Sequence, residues 1–392
     1  MKRYIPTILA LLFTVFILAS CEKDDTTPEE ETPPQDEPSL SVDFLTFYKP
    51  DSENILGTEK LVVKLSVSNG NITYSPILDV YPENIVTDCS INNNMVALGL
   101  NWRDFDNKGI YFDMNADSYY EFPLVQPSED SDYSYFQAST ADVSNNGMII
   151  YSSATNDINY GDEYRAFLLR VDPSDNTAEA AINPNEFVFS QPEMGEDTDM
   201  SQFNRLLFAS ADGKYAFGHL EAYGTEGGGI HWDYKILFKY DFETKTYYRL
   251  GDPDDSNVNI KGMTSNKKYI IYSNSGTYKV LNLETNATSQ PTNIANLMNV
   301  QENSWGPNGP CVGSTAGDIW NKDFVNDKEF VVCHMSGSPY NCMFAEDGKK
   351  IFFTLNGSDH KYLCVTSGIE ENSTYDTIGT FPLEFDRLVM VK

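Results

Sequence analysis

Five times along the chain an apolar stretch runs into a short polar turn of Asn, Asp or Gly and out into a second apolar stretch. These segments are 90–99 (SINNNMVALG), 143–153 (VSNNGMIIYSS), 208–219 (FASADGKYAFGH), 263–273 (MTSNKKYIIYS) and 344–354 (FAEDGKKIFFT). Short apolar runs rich in aromatic and β-branched residues, bounded by turn formers, predict paired β-strands. Aligned on Asn94, Gly147, Gly213, Lys267 and Gly348, the segments recur at spacings of 53, 66, 54 and 81 residues. A second strand–turn–strand element follows the first four, at 110–122, 167–180, 236–250 and 278–290. Four strands make a sheet that cannot bury both of its faces alone, so successive units must stack on one another. Helical periodicity is nearly absent, and Asn293–Val300 is the best short candidate.

The first hairpin of each unit resembles the "S-x-DGK-x-I-x-F" hairpin of TolB-like and other β-propeller repeats. That resemblance implies an all-β body, a propeller with four-stranded blades. Blades fall near 43–80, 86–126, 138–185, 203–252, 260–292 and 341–382, which gives six. The 81-residue interval, with its segment 323–333 (DFVNDKEFVVC), has room for a seventh. Residues 385–392 form a strand without a local partner, and pairing it with the first blade closes the ring. A two-sheet sandwich or a solenoid of similar hairpins is the competing architecture, and it leaves that last strand unexplained.

The N-terminus is organised differently. Met1-Lys2-Arg3 leads into an apolar run from Ile5 to Ile17 and then into Leu18-Ala19-Ser20-Cys21. A basic start, an apolar stretch and small residues form a secretory signal, and the run is too short for the roughly 20 residues that cross a bilayer. The closing cysteine resembles the lipobox of bacterial lipoproteins, which implies cleavage after residue 20 and lipidation, as with palmitate, of Cys21. The acidic Glu22-Lys23-Asp24-Asp25 resembles the surface-export tag of Bacteroidota lipoproteins, implying an outer-membrane protein that faces the exterior. Residues 21–42 are rich in Pro, Glu and Thr and have little to bury, so they read as an extended tether of roughly 60 Å. The propeller then occupies residues 43–392. Asp25-Thr26-Thr27 and Asp376-Thr377-Ile378 match the Bacteroidota O-glycosylation pattern, at Thr26 and Thr377.

Charge narrows the partners. The chain carries a net charge of -31, and the body alone remains strongly acidic beyond the tail. Such a field repels nucleic acid and anionic membranes, so nucleic-acid binding is rejected and neutral or cationic ligands are favoured. Beyond Cys21 five cysteines remain: Cys89, Cys311, Cys333, Cys342 and Cys364. In a blade, Cys342 on the first strand and Cys364 on the third are too far apart to bridge. Cys333 and Cys342, across one loop, are the better candidates. Scattered histidines and the lack of a CxxC pair give a zinc site little support.

Strands A to D of a blade run outward from the axis, so A–B and C–D turns share one face and B–C and D–A connections share the other. The long connections are B–C segments at 100–109, 154–164 and 221–233. They place Trp102, Arg103, Tyr160, Tyr164, Tyr223, His231 and Trp232 on that second face, and Trp305 and Trp320, in the irregular D–A region, join them there. Aromatic groups beside Asn and Asp suit stacking on sugar rings or flat ligands, while wedging between blades is the alternative use of the tryptophans. Asp113, Asn115 and Asp117 have calcium-loop spacing, but the loop lacks the sixth-position Gly and a tight turn uses the same residues. No catalytic motif is legible, and no cofactor is implied. The reading is a surface lipoprotein that captures a glycan or similar small molecule beside a TonB-dependent transporter. A scaffold or adhesin is the first alternative, and a propeller glycosidase or lyase the second.

Overall fold

The computed structural model describes residues 41–48, 62–68, 70–78, 85–92, 94–100, 108–123, 133–157, 163–181, 198–199, 207–226, 230–294, 304–345, 347–383 and 385–391. Among the described residues every named element is a β-strand, and the strands form seven sheets. The chain is a β-propeller of seven blades.

Blade 1 contains β1 (Ser41–Tyr48), β2 (Val62–Ser68) and β3 (Asn71–Leu78), and blade 2 contains β4 (Ile85–Asn92), β5 (Met95–Leu100), β6 (Gly109–Asp113) and β7 (Ser118–Phe122). Blade 3 contains β8 (Tyr133–Val143), β9 (Ile149–Asp157), β10 (Glu163–Asp172) and β11 (Thr177–Ala181). In blade 4 the inner strand is split into β12 (Thr198–Asp199) and β13 (Phe208–Ala209), both paired with β14 (Tyr215–Glu226), followed by β15 (Ile230–Asp241) and β16 (Thr246–Arg249). Blade 5 is β17 (Val258–Met263), β18 (Tyr269–Asn274), β19 (Thr277–Asn282) and β20 (Ala287–Ser289). Blade 6 holds β21 (Cys311–Gly313), β22 (Asp318–Asp323) and β23 (Lys328–His334), and blade 7 holds β24 (Pro339–Phe344), β25 (Ile351–Asn356), β26 (His360–Thr366) and β27 (Tyr375–Pro382). The last strand, β28 (Phe385–Val391), pairs with β1 through Phe44↔Met390 and its neighbours, and so closes the ring.

The count of six is therefore corrected to seven, and the additional blade lies in the 81-residue interval. Its first hairpin is visible in how turns bond to their neighbours. In blade 3, Asn145 N donates to Ala211 O of blade 4 and Asn146 Nδ2 to Asp212 O. In blade 5, Ser265 N donates in the same way to Gly306 O, and Asn266 Nδ2 to Pro307 O. Gly306 and Pro307 thus occupy the turn position of Ala211 and Asp212. Ser304 and Trp305 form the stub of the inner strand, with Trp305 bridged to Pro310. Asn308 then falls 41 residues after Lys267 and 40 before Gly348, which divides the long interval evenly.

Packing explains why the second strand of each blade is apolar at successive positions. Side chains alternate across a sheet, and here both faces meet another blade. Ile270 and Tyr272 on β18 join the cluster with blade 4, while Ile271 between them joins the cluster with Trp305 and Phe324 of blade 6. On β25, Ile351 and Phe353 pack toward blade 6, and Phe352 packs toward blade 1 with Phe44 and Val63. The cluster between blades 7 and 1 includes Phe385 of β28, so the closing strand is held by burial as well as by its ladder. Asn293–Val300 falls mostly outside the described residues; 293–294 carry no helix.

Candidate functional site

The face expected to bind ligand is built unequally. In blade 5 the β18–β19 ladder ends at Asn274↔Thr277, next to a tight turn. In blade 4 the β14–β15 ladder continues in register from Tyr215↔Asp241 to Glu226↔Ile230. Each strand there has 12 residues against six in blade 5. At about 3.4 Å per residue the ribbon stands roughly 20 Å further out. The β9–β10 ladder of blade 3 also extends, to Asp157↔Glu163. The segments read from sequence as long loops at 154–164 and 221–233 are thus largely strand, because their backbones pair with each other along the hairpin.

These ribbons carry four of the predicted residues. Tyr164 stands opposite Asn156, Tyr223 opposite Asp233, Trp232 opposite Gly224 and His231 opposite Thr225. Trp102, Arg103 and Tyr160 lie outside the described residues, as do Cys21 and Thr26. Thr377 is exposed on β27.

Trp305 and Trp320 take other places, because the presumed irregular segment is a blade. Trp305 sits beside an A–B turn, on the opposite face, and is 8 % exposed. Its indole wedges between blades 5 and 6 against Gly262, where an added Cβ would overlap the ring. A bulge in β17 between Ile260 and Gly262 accommodates it. Trp320 lies within β22, opposite Val312 and Val331, with the Lys322 ammonium 5.4 Å from its ring centroid.

The Asp113–Asp117 segment forms a turn between β6 and β7. Asp113 Oδ1 accepts the N–H groups of Asn115 (2.9 Å) and Ala116 (3.3 Å), and Asp117 pairs with Lys64 at 2.5 Å. The cysteines whose side chains are described, Cys311, Cys333, Cys342 and Cys364, are all free, and the side chain of Cys89 lies outside that description. The expected Cys333–Cys342 bridge is therefore corrected. The Cys342 sulfur lies beside Gly313 of β21, about 3.1 Å from where a Cβ there would stand, whereas Cys333 points its thiol at the carbonyl of His334, 3.7 Å away. Burial pushes the Cys342 thiol up to about 12 and raises Cys311 well above its usual value.

Sequence reasoning missed two polar arrangements. Asp142 on β8 pairs with Lys267 of the blade 5 turn across the inner edge of blade 4, and it also accepts Ala209 N–H at 2.7 Å. Both charged side chains are 9 % exposed. The signal was a lysine at φ +59° where blades 3, 4 and 7 place Gly147, Gly213 and Gly348. Asp255 is the second: its carboxylate accepts from Tyr272 Oη (2.8 Å), Asn274 Nδ2 (2.6 Å) and Lys279 Nζ (2.6 Å), which fixes the connection into blade 5. Burial, then Asp255, raises the Tyr272 hydroxyl; for Lys279 burial pulls downward, but Asp255 and Asp252 outweigh it and hold the ammonium above its usual value.

On the A–B and C–D face a cleft of about 310 Å³ opens between blades 2 and 3, lined by Met95, Tyr111, Asp113, Tyr120 and residues 173–176.

No protein-family model matches the chain, and no curated protein matches it. Among solved structures it is similar to TolB from Acinetobacter baumannii, with 10 % identity and a TM-score of 0.37 over 89 % of this chain and 65 % of TolB. The chain thus spans just under two thirds of that protein's length. It is also similar to an oligogalacturonate lyase in complex with manganese (10 % identity, TM-score 0.49, 79 % of this chain and 83 % of that one). A third is dipeptidyl peptidase 4 from Porphyromonas gingivalis (7 % identity, TM-score 0.41, 78 % of this chain and 55 % of that one). At such identities the site's chemistry has to be argued from this chain's own residues.

Proposed function

We propose that the protein is a tethered receptor: a lipoprotein anchored through Cys21 in the outer membrane, facing outward, whose propeller captures a glycan or similar small molecule for a TonB-dependent transporter. The observation that carries this reading is the pair of hairpins in blades 3 and 4 that rise beyond the ring on one face. They bring Tyr164, Tyr223, His231 and Trp232 to that face. Length added at one corner of a repeat marks a binding face, and aromatic residues there stack on sugar rings. The net charge of -31 favours a neutral or cationic ligand over an anionic one. A screen of soluble glycans against the wild type identifies the ligand, and Trp102→Ala/Trp232→Ala then removes binding while the unfolding midpoint is kept. Unchanged affinity in that double variant overturns the site. Labelled palmitate should enter the wild type and not Cys21→Ala, and incorporation into both would overturn the anchor.

A further inference from the structure

The cleft between blades 2 and 3 lies on the face opposite those hairpins and has its own chemistry. Its floor is aromatic. Tyr111 and Tyr120, opposite one another on β6 and β7, stack with centroids 5.5 Å apart and planes 18° apart. Tyr111 stacks in turn on Phe122, and Phe122 on Tyr151, whose hydroxyl donates to Ile110 O at 2.9 Å, so the floor is braced from beneath. Tyr120 is 42 % exposed and offers a free ring surface.

The walls are acceptors without a cation. Asp113 Oδ1 is held by its own turn, and Asp175 Oδ1 accepts Thr177 N (3.0 Å) and Thr177 Oγ1 (2.6 Å). Neither carboxylate has an ion pair among the described residues, although cations stand nearby: Lys64 serves Asp43 and Asp117, Lys108 serves Glu121 and Arg170 serves Glu179. Among the described residues no basic side chain lines the cleft. Asn176, at φ +56°, donates to Glu121 O at 2.6 Å and ties the blade 3 turn to blade 2, which sets the width. A further group points to an occupant. Tyr111 is 2 % exposed and lines the cleft, and its hydroxyl has no hydrogen-bond partner among the described residues. The side chain is thus buried up to the cleft it lines, and its hydroxyl is left free to accept from a group bound there.

We propose that this cleft binds a small organic cation of the guanidinium or alkylammonium class. The cation lies over the Tyr120 ring and donates to the outer oxygens of Asp113 and Asp175, with the Tyr111 hydroxyl accepting. An aromatic face beside two unpaired carboxylates attracts such a group by its quadrupole and by charge together. The cation is either a free compound or an arginine or lysine side chain of a peptide.

The test uses the full-length protein in a non-ionic detergent, titrated calorimetrically with n-butylguanidine and with its neutral isostere n-butylurea. The guanidine should bind at least about tenfold more tightly, and added salt should weaken it. Tyr120→Ala should weaken binding about two- to fivefold, and Asp113→Asn/Asp175→Asn, which keeps both turn acceptors, about fivefold or more. A capped Gly-Arg-Gly peptide binding as tightly as n-butylguanidine assigns the source to a side chain, and weaker binding assigns it to a free compound. Equal affinity for the urea, unchanged affinity in both variants, or no saturation up to about 10 mM overturns the proposal. Trp102 and Trp232 play no part in this test, so its outcome is independent of the opposite face.

Discussion

Lys267→Gly gives blade 5 the residue that blades 3, 4 and 7 already carry at the same turn position. Considered as backbone alone, the change is favourable. Lys267 holds φ +59°, and a left-handed conformation costs a residue with a Cβ about 1 kcal/mol that glycine does not incur. The ion pair reverses the sign. Lys267 reaches across blade 4 to Asp142, and both side chains are 9 % exposed. Removing one partner of a buried pair costs about 3–5 kcal/mol, and the Ala209 N–H that stays bonded to Asp142 puts this case at the lower end. The net expectation is a loss of about 2 kcal/mol. Urea unfolding followed by tryptophan fluorescence reads it as a lower midpoint at unchanged slope. Asp142→Asn in the same chain should restore most of the loss, because the remaining carboxamide still accepts from Ala209 without a buried charge. A midpoint for Lys267→Gly equal to or above the wild type would refute the reasoning, since turn strain would then outweigh the pair.

Gly262→Ala should lower the unfolding free energy by about 2 kcal/mol, read as a lower urea midpoint, because the new methyl overlaps the Trp305 indole in the wedge between blades 5 and 6. At about pH 8 iodoacetamide should leave Cys311 and Cys342 unmodified in the folded protein and label them in urea, since burial keeps both thiols protonated and out of reach; peptide mass mapping decides it. The N–H groups of Asn293 and Thr292 hold the Asp327 carboxyl below its usual value of 3.8. What that carboxylate contributes is complete above 3.8 and is lost as pH falls through its own lower value. Asp327→Ala should therefore lower amide-exchange protection at Thr292 and Asn293 near neutral pH, and acidifying the wild type should do the same.

The repeat was legible because strands such as Tyr269–Asn274 and Ile351–Asn356 are buried on both faces and therefore apolar at successive positions. Blade 6 escaped for a physical reason. Its turn, Gly306-Pro307-Asn308-Gly309, lacks the Asp-Gly-Lys signature, and β21 has three residues, too few to show a period. That omission carried Trp305 with it: the residue looked like part of an open loop and is a wedge in the core. The cleft was partly legible, since the tandem Tyr119-Tyr120 exposes two aromatic rings on an outer strand. Its second wall comes from a turn of the next blade, and pairing residues 111–120 with residues 173–176 requires knowing that blades 2 and 3 are adjacent. The Asp142–Lys267 pair joins positions 125 residues apart, beyond any local pattern.

The pairing of β28 with β1 has a consequence for biogenesis. The innermost strand of the first blade comes from β28, far along the chain from β1, so blades 1 and 7 lock together only once those two distant segments have met. Closing a loop between Phe44 and Met390 costs about 5 kcal/mol in chain entropy, and the buried contacts of Phe385 and its ladder come only after that cost is met. Until that pairing forms the chain is an open array of blades whose first sheet presents the unpaired edge of β1, and the same step that covers this edge makes the array a ring.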